Sequence, residues 1–195
     1  MSFIKGVIFD MDGTITEPLL DFERIRAEIG VPSGTPLLES ISAMDPESRR
    51  RARGILHEHE SAAARASTLN EGVPEVLAQL KQRGVMTAVV TRNRSSSTEV
   101  VLRKHGLEFA AVITREDGEP KPMPDGVLAA AAKMGVPPKA CLMVGDYEFD
   151  IQAGRAAGAI TVLYAPSPRS FATEPDFLIS RMTDLLEVLD GLENA

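Results

Sequence analysis

Several classes of protein are excluded by what this sequence lacks. It has 1 cysteine, Cys141, which excludes an intrachain disulfide and a zinc or redox centre built on paired cysteines. No apolar run approaches the ~20 residues that a membrane-spanning helix needs, and the amino-terminal segment does not have the layout of a signal peptide. These absences predict a cytoplasmic protein with no membrane partner.

An excess of positive charge is also missing. The chain has 28 acidic and 21 basic residues, and its formal net charge is −7. Nucleic-acid binding usually needs Lys and Arg gathered on one face, so we predict no nucleic-acid partner. The hydrophobic share of 44% and the charged share of 25% are typical of a globular protein. A chain of this length buries roughly 70% of its unfolded surface, which is enough for one core and a modest insertion.

Short apolar runs alternate with helix-length segments along most of the chain. The predicted strands are residues 3–10, 85–91, 110–114, 141–145 and 159–164. Their nearly continuous hydrophobicity is typical of strands buried on both faces of a parallel sheet. The predicted helices are residues 73–83, 97–105, 124–134 and 149–157, each followed by a glycine of the kind that ends helices. The pattern predicts an α/β fold with a doubly wound (Rossmann-like) parallel sheet flanked by helices.

The alternation fails once, in residues 16–70, where helical patterns occur without a buried strand. Connections in compact domains are usually about 4–6 residues long, so a segment of this length is expected to fold on its own. We therefore predict a core of residues 1–15 and 71–195, and a small α-helical cap of residues 16–70 inserted after the first strand. Residues 16–70 are called the insert below.

Polar residues collect where the predicted strands end. They are Asp10 and Asp12, Thr91 and Asn93, Asp146 and Asp150, with Lys121 in a proline-broken loop ahead of a helix. Because ligands bind at the carboxyl ends of strands in an open parallel sheet, these side chains are expected at one edge, which we call the rim. Clustered carboxylates need a cation, and oxygen ligands without Cys or His favour Mg²⁺ over zinc. Mg²⁺ beside Lys and Thr donors indicates a phosphate site.

Four segments of the rim resemble the motifs of the haloacid dehalogenase (HAD) superfamily. They are Phe9–Thr14 (FDMDGT), Val90–Thr91, Lys121–Pro122 and Gly145–Asp150 (GDYEFD), within a resemblance that spans residues 4–165. The DxDGT and GDxxxD elements at this separation are the specific part of the pattern. The sequence is identified as a member of this superfamily, similar to its phosphoglycolate-phosphatase-like branch and carrying a short helical cap.

The resemblance implies a phosphatase that works through an aspartyl-phosphate intermediate. Asp10 is expected to be the nucleophile, because a carboxylate is already ionised at neutral pH. Asp12 is expected to protonate the leaving alkoxide and then to accept a proton from the hydrolytic water. Thr91 and Lys121 are expected to hold the phosphoryl oxygens.

The resemblance also implies a Mg²⁺ cofactor. Its expected ligands are Asp10, the backbone carbonyl of Asp12, and Asp146. Asp150 is expected to contact Lys121 or a ligand of the metal rather than substrate. Such an ion offsets the repulsion between the Asp10 carboxylate and an anionic substrate.

The second motif departs from the family pattern. Many relatives place Asn directly after the Thr of this motif, whereas here Arg92 stands between Thr91 and Asn93. Arg92 and Asn93 are therefore candidate substrate-binding residues beside Thr91 and Lys121, and the role of Asn93 stays open.

The residue at position 12 favours some reactions of this superfamily over others. Haloalkanoate dehalogenases do not need a proton donor there, and phosphonate-cleaving relatives combine Ala at that place with a cap lysine. Asp12 fits neither class, and lysine is absent from positions 6 to 80. Hydrolysis of a small phosphorylated metabolite is favoured. A sugar-phosphate mutase similar to beta-phosphoglucomutase and a catalytically retired binding protein remain alternatives, and the substrate and oligomeric state stay open.

Overall fold

A computed structural model of the protein describes residues 4–168 and 171–193. The strands are β1 (Gly6–Phe9), β2 (Met86–Val90), β3 (Ala111–Ile113), β4 (Cys141–Gly145), β5 (Ile160–Tyr164) and β6 (Phe177–Ile179). The α-helices are α1 (Phe22–Ile29), α2 (Leu37–Ser42), α3 (Pro46–Ala66), α4 (Val73–Gln82), α5 (Ser95–His105), α6 (Asp125–Met134), α7 (Glu148–Ala157) and α8 (Asp184–Glu193). A 3-10 helix, Pro138–Ala140, precedes β4.

The strands form one parallel sheet in the order β3-β2-β1-β4-β5-β6. In the centre of this sheet, Phe9 of β1 lies opposite Val89 of β2 and Val144 of β4. The three central strands therefore end at the same level, and the residues that follow them lie side by side. The predicted doubly wound α/β fold is confirmed, and β6 and α8 add to the elements predicted above.

Both faces of the sheet are buried, as the apolar runs predict. Along β1, Val7 and Phe9 belong to one hydrophobic cluster, which includes residues of α4, α5 and α8, and Ile8 belongs to the other, which includes residues of α6 and α7. Alternate side chains of a strand point to opposite faces, so the three central strands β1, β2 and β4 each contribute to both clusters. Fully burying one such aliphatic side chain stabilises the fold by about 1.5–3 kcal/mol.

The insert contains α1, α2 and α3, which share a hydrophobic cluster of their own. Its buried members are Ile25, Leu37, Ile41, Ala52 and Leu56. The limits of the two predicted domains remain a prediction, but this cluster contains insert residues alone. Within the described ranges, no helix is both long and apolar enough to span a membrane.

The two connections of the insert to the core run side by side. The Glu17 N–H donates to the Thr68 carbonyl at 3.0 Å, and the Asn70 N–H donates to the Ile15 carbonyl at 3.0 Å. The Asn70 side-chain amide also donates to the Thr14 carbonyl at 2.9 Å. These bonds hold the start and the end of the insert together next to the first motif.

Candidate active site

The rim collects the side chains that the strand ends predict. Asp10 follows β1, and its N–H donates to the Val144 carbonyl of β4 at 2.8 Å. Thr91 follows β2 in the same way, with its N–H donating to the Ile113 carbonyl of β3 at 3.0 Å. The sheet ladder therefore continues for one residue into the rim and fixes the backbones that carry these two side chains.

Lys121 lies at the centre of the charged cluster. Its Nζ is 2.5 Å from Asp10 Oδ1 and 2.6 Å from Asp150 Oδ1, and only 2% of its side chain is exposed. Burial alone lowers the pKa of an ammonium group, but the carboxylates of Asp10 and Asp150 outweigh it and raise the pKa of Lys121. Lys121 is therefore held as a cation.

Asp10 is buried in an environment that opposes its charge. Burial raises the pKa of Asp10 well above its ordinary value, Lys121 acts against this shift, and the neighbouring Asp150 and Asp146 add to it. Carboxylate oxygens of Asp10, Asp146 and Asp150 lie within 4.8 Å of one another. Carboxylate oxygens from three residues at this spacing suit a further cation.

The donor atoms of this cluster fit a hard metal ion. The three carboxylates offer oxygen ligands, which Mg²⁺ prefers. Both oxygens of Asp150 already have protein partners, because Oδ1 faces Lys121 and Oδ2 accepts the Tyr147 N–H at 3.0 Å at the start of α7. Asp150 is therefore placed to hold Lys121, and Asp10 and Asp146 supply the other carboxylate oxygens of the cluster.

Two glycines allow the motifs to approach one another. A Cβ added at Gly13, where φ is +86°, would lie 2.4 Å from Asp146 Oδ2. A Cβ at Gly145 would lie 2.2 Å from the Cβ and the carboxyl carbon of Asp150. Both distances are shorter than any real contact. A side chain at position 13 would collide with Asp146 and one at position 145 would collide with Asp150, so both positions require glycine. Gly145 was not among the predicted site residues.

Asp12 has a different kind of partner from Asp10. Its Oδ2 accepts a hydrogen bond from Asn93 Nδ2. Burial raises the pKa of Asp12, although hydrogen bonds from Asn93 and Thr16 and the charge of Lys121 act in the other direction. A carboxyl group with a raised pKa beside a neutral amide is suited to donate a proton.

Asn93 is positioned by its own turn. Its N–H donates to Thr91 Oγ1 at 3.1 Å, and its carbonyl accepts the Arg115 N–H at 3.2 Å. Thr91 and Asn93 are buried, with exposed fractions of 4% and 8%. Asn93 therefore lies in the site next to Asp12 even though Arg92 displaces it by one position, and its contact with substrate stays a prediction.

Arg92 makes several contacts with the protein. Its Nη2 donates to Glu39 Oε1 at 3.0 Å and Oε2 at 2.9 Å, and its Nη1 donates to the backbone carbonyl of Lys121. Its guanidinium carbon is 4.8 Å from the centroid of the Phe149 ring. The predicted contact of Arg92 with substrate remains untested, whereas its contacts with Glu39 and Lys121 were not foreseen.

A second arginine also joins the core to the insert. Arg115, in the loop after β3, pairs with Glu60 of α3 at 2.6 and 3.0 Å. The Glu60 side chain is only 3% exposed. Burial raises the pKa of Glu60 despite Arg115, and the charge of Asp12 contributes, so this pair lies near Asp12. Sequence reasoning missed both residues, because neither lies in a motif.

The chain resembles known proteins over nearly its whole length. The family model of the haloacid dehalogenase-like hydrolases matches residues 4–158. A pyrophosphatase, PpaX, of Bacillus pumilus is 32% identical, covering 96% of this chain and 97% of its own. An N-acetylmuramic acid 6-phosphate phosphatase of Pseudomonas aeruginosa is 27% identical, covering 96% and 95%. The solved structure of a hydrolase from Pseudomonas syringae superposes with a TM-score of 0.82 at 23% identity, covering 96% and 98%.

Proposed function

Because this chain belongs to the haloacid dehalogenase-like hydrolase family, we propose that it is a Mg²⁺-dependent phosphatase that hydrolyses a small phosphomonoester. The observation that carries the proposal is the contrast between two neighbouring carboxylates. Asp10 is paired with the ammonium group of Lys121, whereas Asp12 is bound to the neutral amide of Asn93. Two carboxyl groups in different environments are suited to two different roles.

Asp10 is the proposed nucleophile. The adjacent Lys121 ammonium group favours its ionised form against the effect of burial, and the carboxylate attacks phosphorus to give an aspartyl phosphate. Lys121 and Thr91 then hold the phosphoryl oxygens, where developing negative charge needs donors. Asp150 holds Lys121 in this position through its Oδ1.

Asp12 is the proposed general acid and base. Its carboxyl proton goes to the oxygen of the departing alcohol as the phosphorus–oxygen bond breaks. The resulting carboxylate then takes a proton from the water that hydrolyses the aspartyl phosphate. Asn93 keeps the carboxyl group oriented through both steps.

The proposed ligands of Mg²⁺ are Asp10, the backbone carbonyl of Asp12, and Asp146. When bound, the ion would supply positive charge that lowers the repulsion between the Asp10 carboxylate and the substrate phosphate. The oxygen donors gathered at Asp10, Asp146 and Asp150 support this assignment.

The relatives support a phosphorylated substrate. Their names describe a pyrophosphatase and a phosphatase of a sugar phosphate. Both reactions break a bond from phosphorus to oxygen, which is the chemistry that the rim suits. We propose a small phosphorylated metabolite as the partner of this chain, with the insert as a cap that excludes water during the reaction.

Phosphate release from p-nitrophenyl phosphate, with and without Mg²⁺, tests the proposal. Wild type should be active with Mg²⁺ and inactive in excess EDTA, and Asp10→Asn should lose at least about 10³-fold in kcat because the nucleophile is gone. Asp190→Asn, which alters an exposed ion pair, is the matched control and should retain activity. Full activity of Asp10→Asn, or of wild type in EDTA, would contradict the mechanism. Isomer formation from a hexose phosphate without phosphate release would favour the mutase.

A further inference from the structure

Arg92 contacts three separate parts of the molecule through one guanidinium group. Nη2 reaches both carboxylate oxygens of Glu39 in α2 of the insert, and Nη1 reaches the backbone carbonyl of Lys121. The guanidinium carbon also lies over the ring of Phe149 in α7. Arg92 itself follows Thr91, so its backbone is fixed at the rim.

These contacts involve Lys121 itself and the residue next to Asp150 in the chain. Nη1 holds the backbone from which the Lys121 side chain extends, and Phe149 is the residue before Asp150 in the first turn of α7. Phe149 is supported in turn by Tyr147, whose ring centroid is 5.1 Å away. The same guanidinium group therefore contacts the insert, the backbone of Lys121 and the helix turn that contains Asp150.

We propose that Arg92 is a positioning residue that couples the seating of the insert, through Glu39, to the placement of Lys121 against Asp10. When Glu39 binds Nη2, the guanidinium group is held where Nη1 supports the Lys121 carbonyl. When the insert moves away, that restraint is lost and Lys121 is held less firmly. This inference rests on the proposed function for its kinetic consequence, but the coupling itself is a physical property of the fold.

The residue at position 92 is suited to this role because arginine donates in several directions from one rigid plane. Lysine has a single nitrogen and cannot reach Glu39 and the Lys121 carbonyl with the same geometry. The Arg92 side chain is 21% exposed and that of Glu39 is 47% exposed, so the pair can open to solvent without leaving a buried charge unpaired. A contact that opens in this way is suited to a moving segment.

The kinetic test compares Arg92→Met, Glu39→Gln and the double variant in p-nitrophenyl phosphate hydrolysis with Mg²⁺. Because a displacement of about 1 Å can cost about 10²-fold in rate, Arg92→Met should lower kcat about 10- to 100-fold and leave KM within about threefold. Glu39→Gln should lower kcat less, and should have no further effect in the Arg92→Met background. Arg83→Met is the matched control, since it removes an arginine from an ion pair before β2, at the opposite edge of the sheet.

Three kinetic outcomes would overturn the proposal. A raised KM with unchanged kcat in Arg92→Met would make Arg92 a substrate-binding residue instead. Unchanged kinetics would leave it without a role in the reaction. Full additivity of the two single effects would show that Glu39 and Arg92 act independently.

Amide hydrogen exchange tests the coupling without any turnover. Glu39→Gln should speed exchange not only in residues 37–42 of the insert but also in the loop of residues 119–123, across the boundary, where the Met123 N–H donates to the Pro120 carbonyl. Unchanged exchange in that loop, or faster exchange throughout the protein, overturns the proposal. If wild type hydrolyses no phosphoester, the proposed function fails and the exchange result alone decides the coupling.

Discussion

The rim and the boundary between core and insert both contain buried charge, but they differ in how it is balanced. At the rim, the Lys121 ammonium group is shared between Asp10 and Asp150, with Asp146 close by. At the boundary, each arginine pairs with one glutamate, Arg92 with Glu39 and Arg115 with Glu60.

This difference indicates that the two regions have different functions. Burying a carboxylate without a matching cation is costly, so several carboxylates gathered in one cleft indicate a candidate binding site. The rim has such a cluster, and the boundary does not. The balanced pairs are therefore suited to holding two parts of the chain together, whereas the rim is suited to a cation and a phosphate.

Removal of Lys121 is expected to have the largest effect, because it leaves the carboxylates of Asp10 and Asp150 without their ammonium partner. Lys121→Met leaves Asp10 and Asp150 facing each other, and should lower the free energy of unfolding by about 3–5 kcal/mol. Its kcat should fall at least about 10³-fold, since a cation against the phosphoryl oxygens is lost. Urea unfolding and phosphate release measure the two effects.

The double variant Lys121→Met with Asp150→Asn separates stability from catalysis. It removes one of the two carboxylates that Lys121→Met leaves without an ammonium partner, so part of the lost stability should return. Activity should not return, because no ammonium group is restored. Recovery of both together would mean that Lys121 acts only in folding.

Asp12→Asn is the next largest expected effect, and it tests the contrast within the rim itself. Removing a general acid typically costs about 10²–10⁴-fold, so kcat for an alkyl phosphate should fall within that range. With p-nitrophenyl phosphate, whose leaving group needs no proton, the loss in the bond-breaking step should be smaller. Equal losses with both substrates would contradict the role of Asp12 as the acid for the leaving group.

The rim could be predicted from the sequence because its residues follow from strand order alone. Once the strands are identified, parallel pairing brings their carboxyl ends to one edge, and Asp10, Thr91 and Asp146 must lie together. Register confirms this, since Phe9 lies between Val89 and Val144. Lys121 follows no strand directly; its place is predicted from the proline-broken loop ahead of a helix, and the resemblance to known motifs implies its role.

The boundary could not be predicted in the same way. Helical periodicity indicates which face of a helix is buried but not which loop it meets, so the pairing of Glu39 with Arg92 depends on how the insert docks. Glu60 had one signal, since it shares the buried face of α3 with Ala52, Leu56 and Ala64. A carboxylate on an otherwise apolar stripe indicates a buried partner. Strand β6 was also not predicted from the sequence, because its 3 residues are too few to show a periodic pattern.

The two boundary pairs should differ in their contribution to stability. Glu60→Ala leaves Arg115, with 17% of its side chain exposed, without its carboxylate, and should lower the free energy of unfolding by about 3 kcal/mol. Glu39→Ala removes a carboxylate that is 47% exposed, and should cost about 0.2–1 kcal/mol because solvent screens the pair. Urea unfolding of both variants makes the comparison, and equal losses would contradict the distinction between a buried and an opening contact.

The smallest expected effect is a pH dependence of stability that arises from Glu60. Its pKa in the folded protein is raised above the ordinary value of 4.5, chiefly by burial, although Arg115 and Arg94 face it and lower its pKa. The folded state therefore binds this proton more tightly than the unfolded state. The contribution of Glu60 to stability is then complete below pH 4.5 and is lost as the pH rises through its folded pKa.

Glutamine at position 60 does not titrate. The free energy of unfolding of Glu60→Gln, measured relative to wild type, should therefore increase as the pH rises from 4.5, and it should level off above the pKa of Glu60 in the folded protein. The change should be smaller than the loss in Glu60→Ala. Asp12 also faces Glu60 and titrates, so the same pair of measurements in an Asp12→Asn background isolates the glutamate. A flat difference would mean that Arg115 fully offsets the effect of burial on Glu60, and a difference that falls with pH would mean that Arg115 outweighs it; either result would contradict the raised pKa.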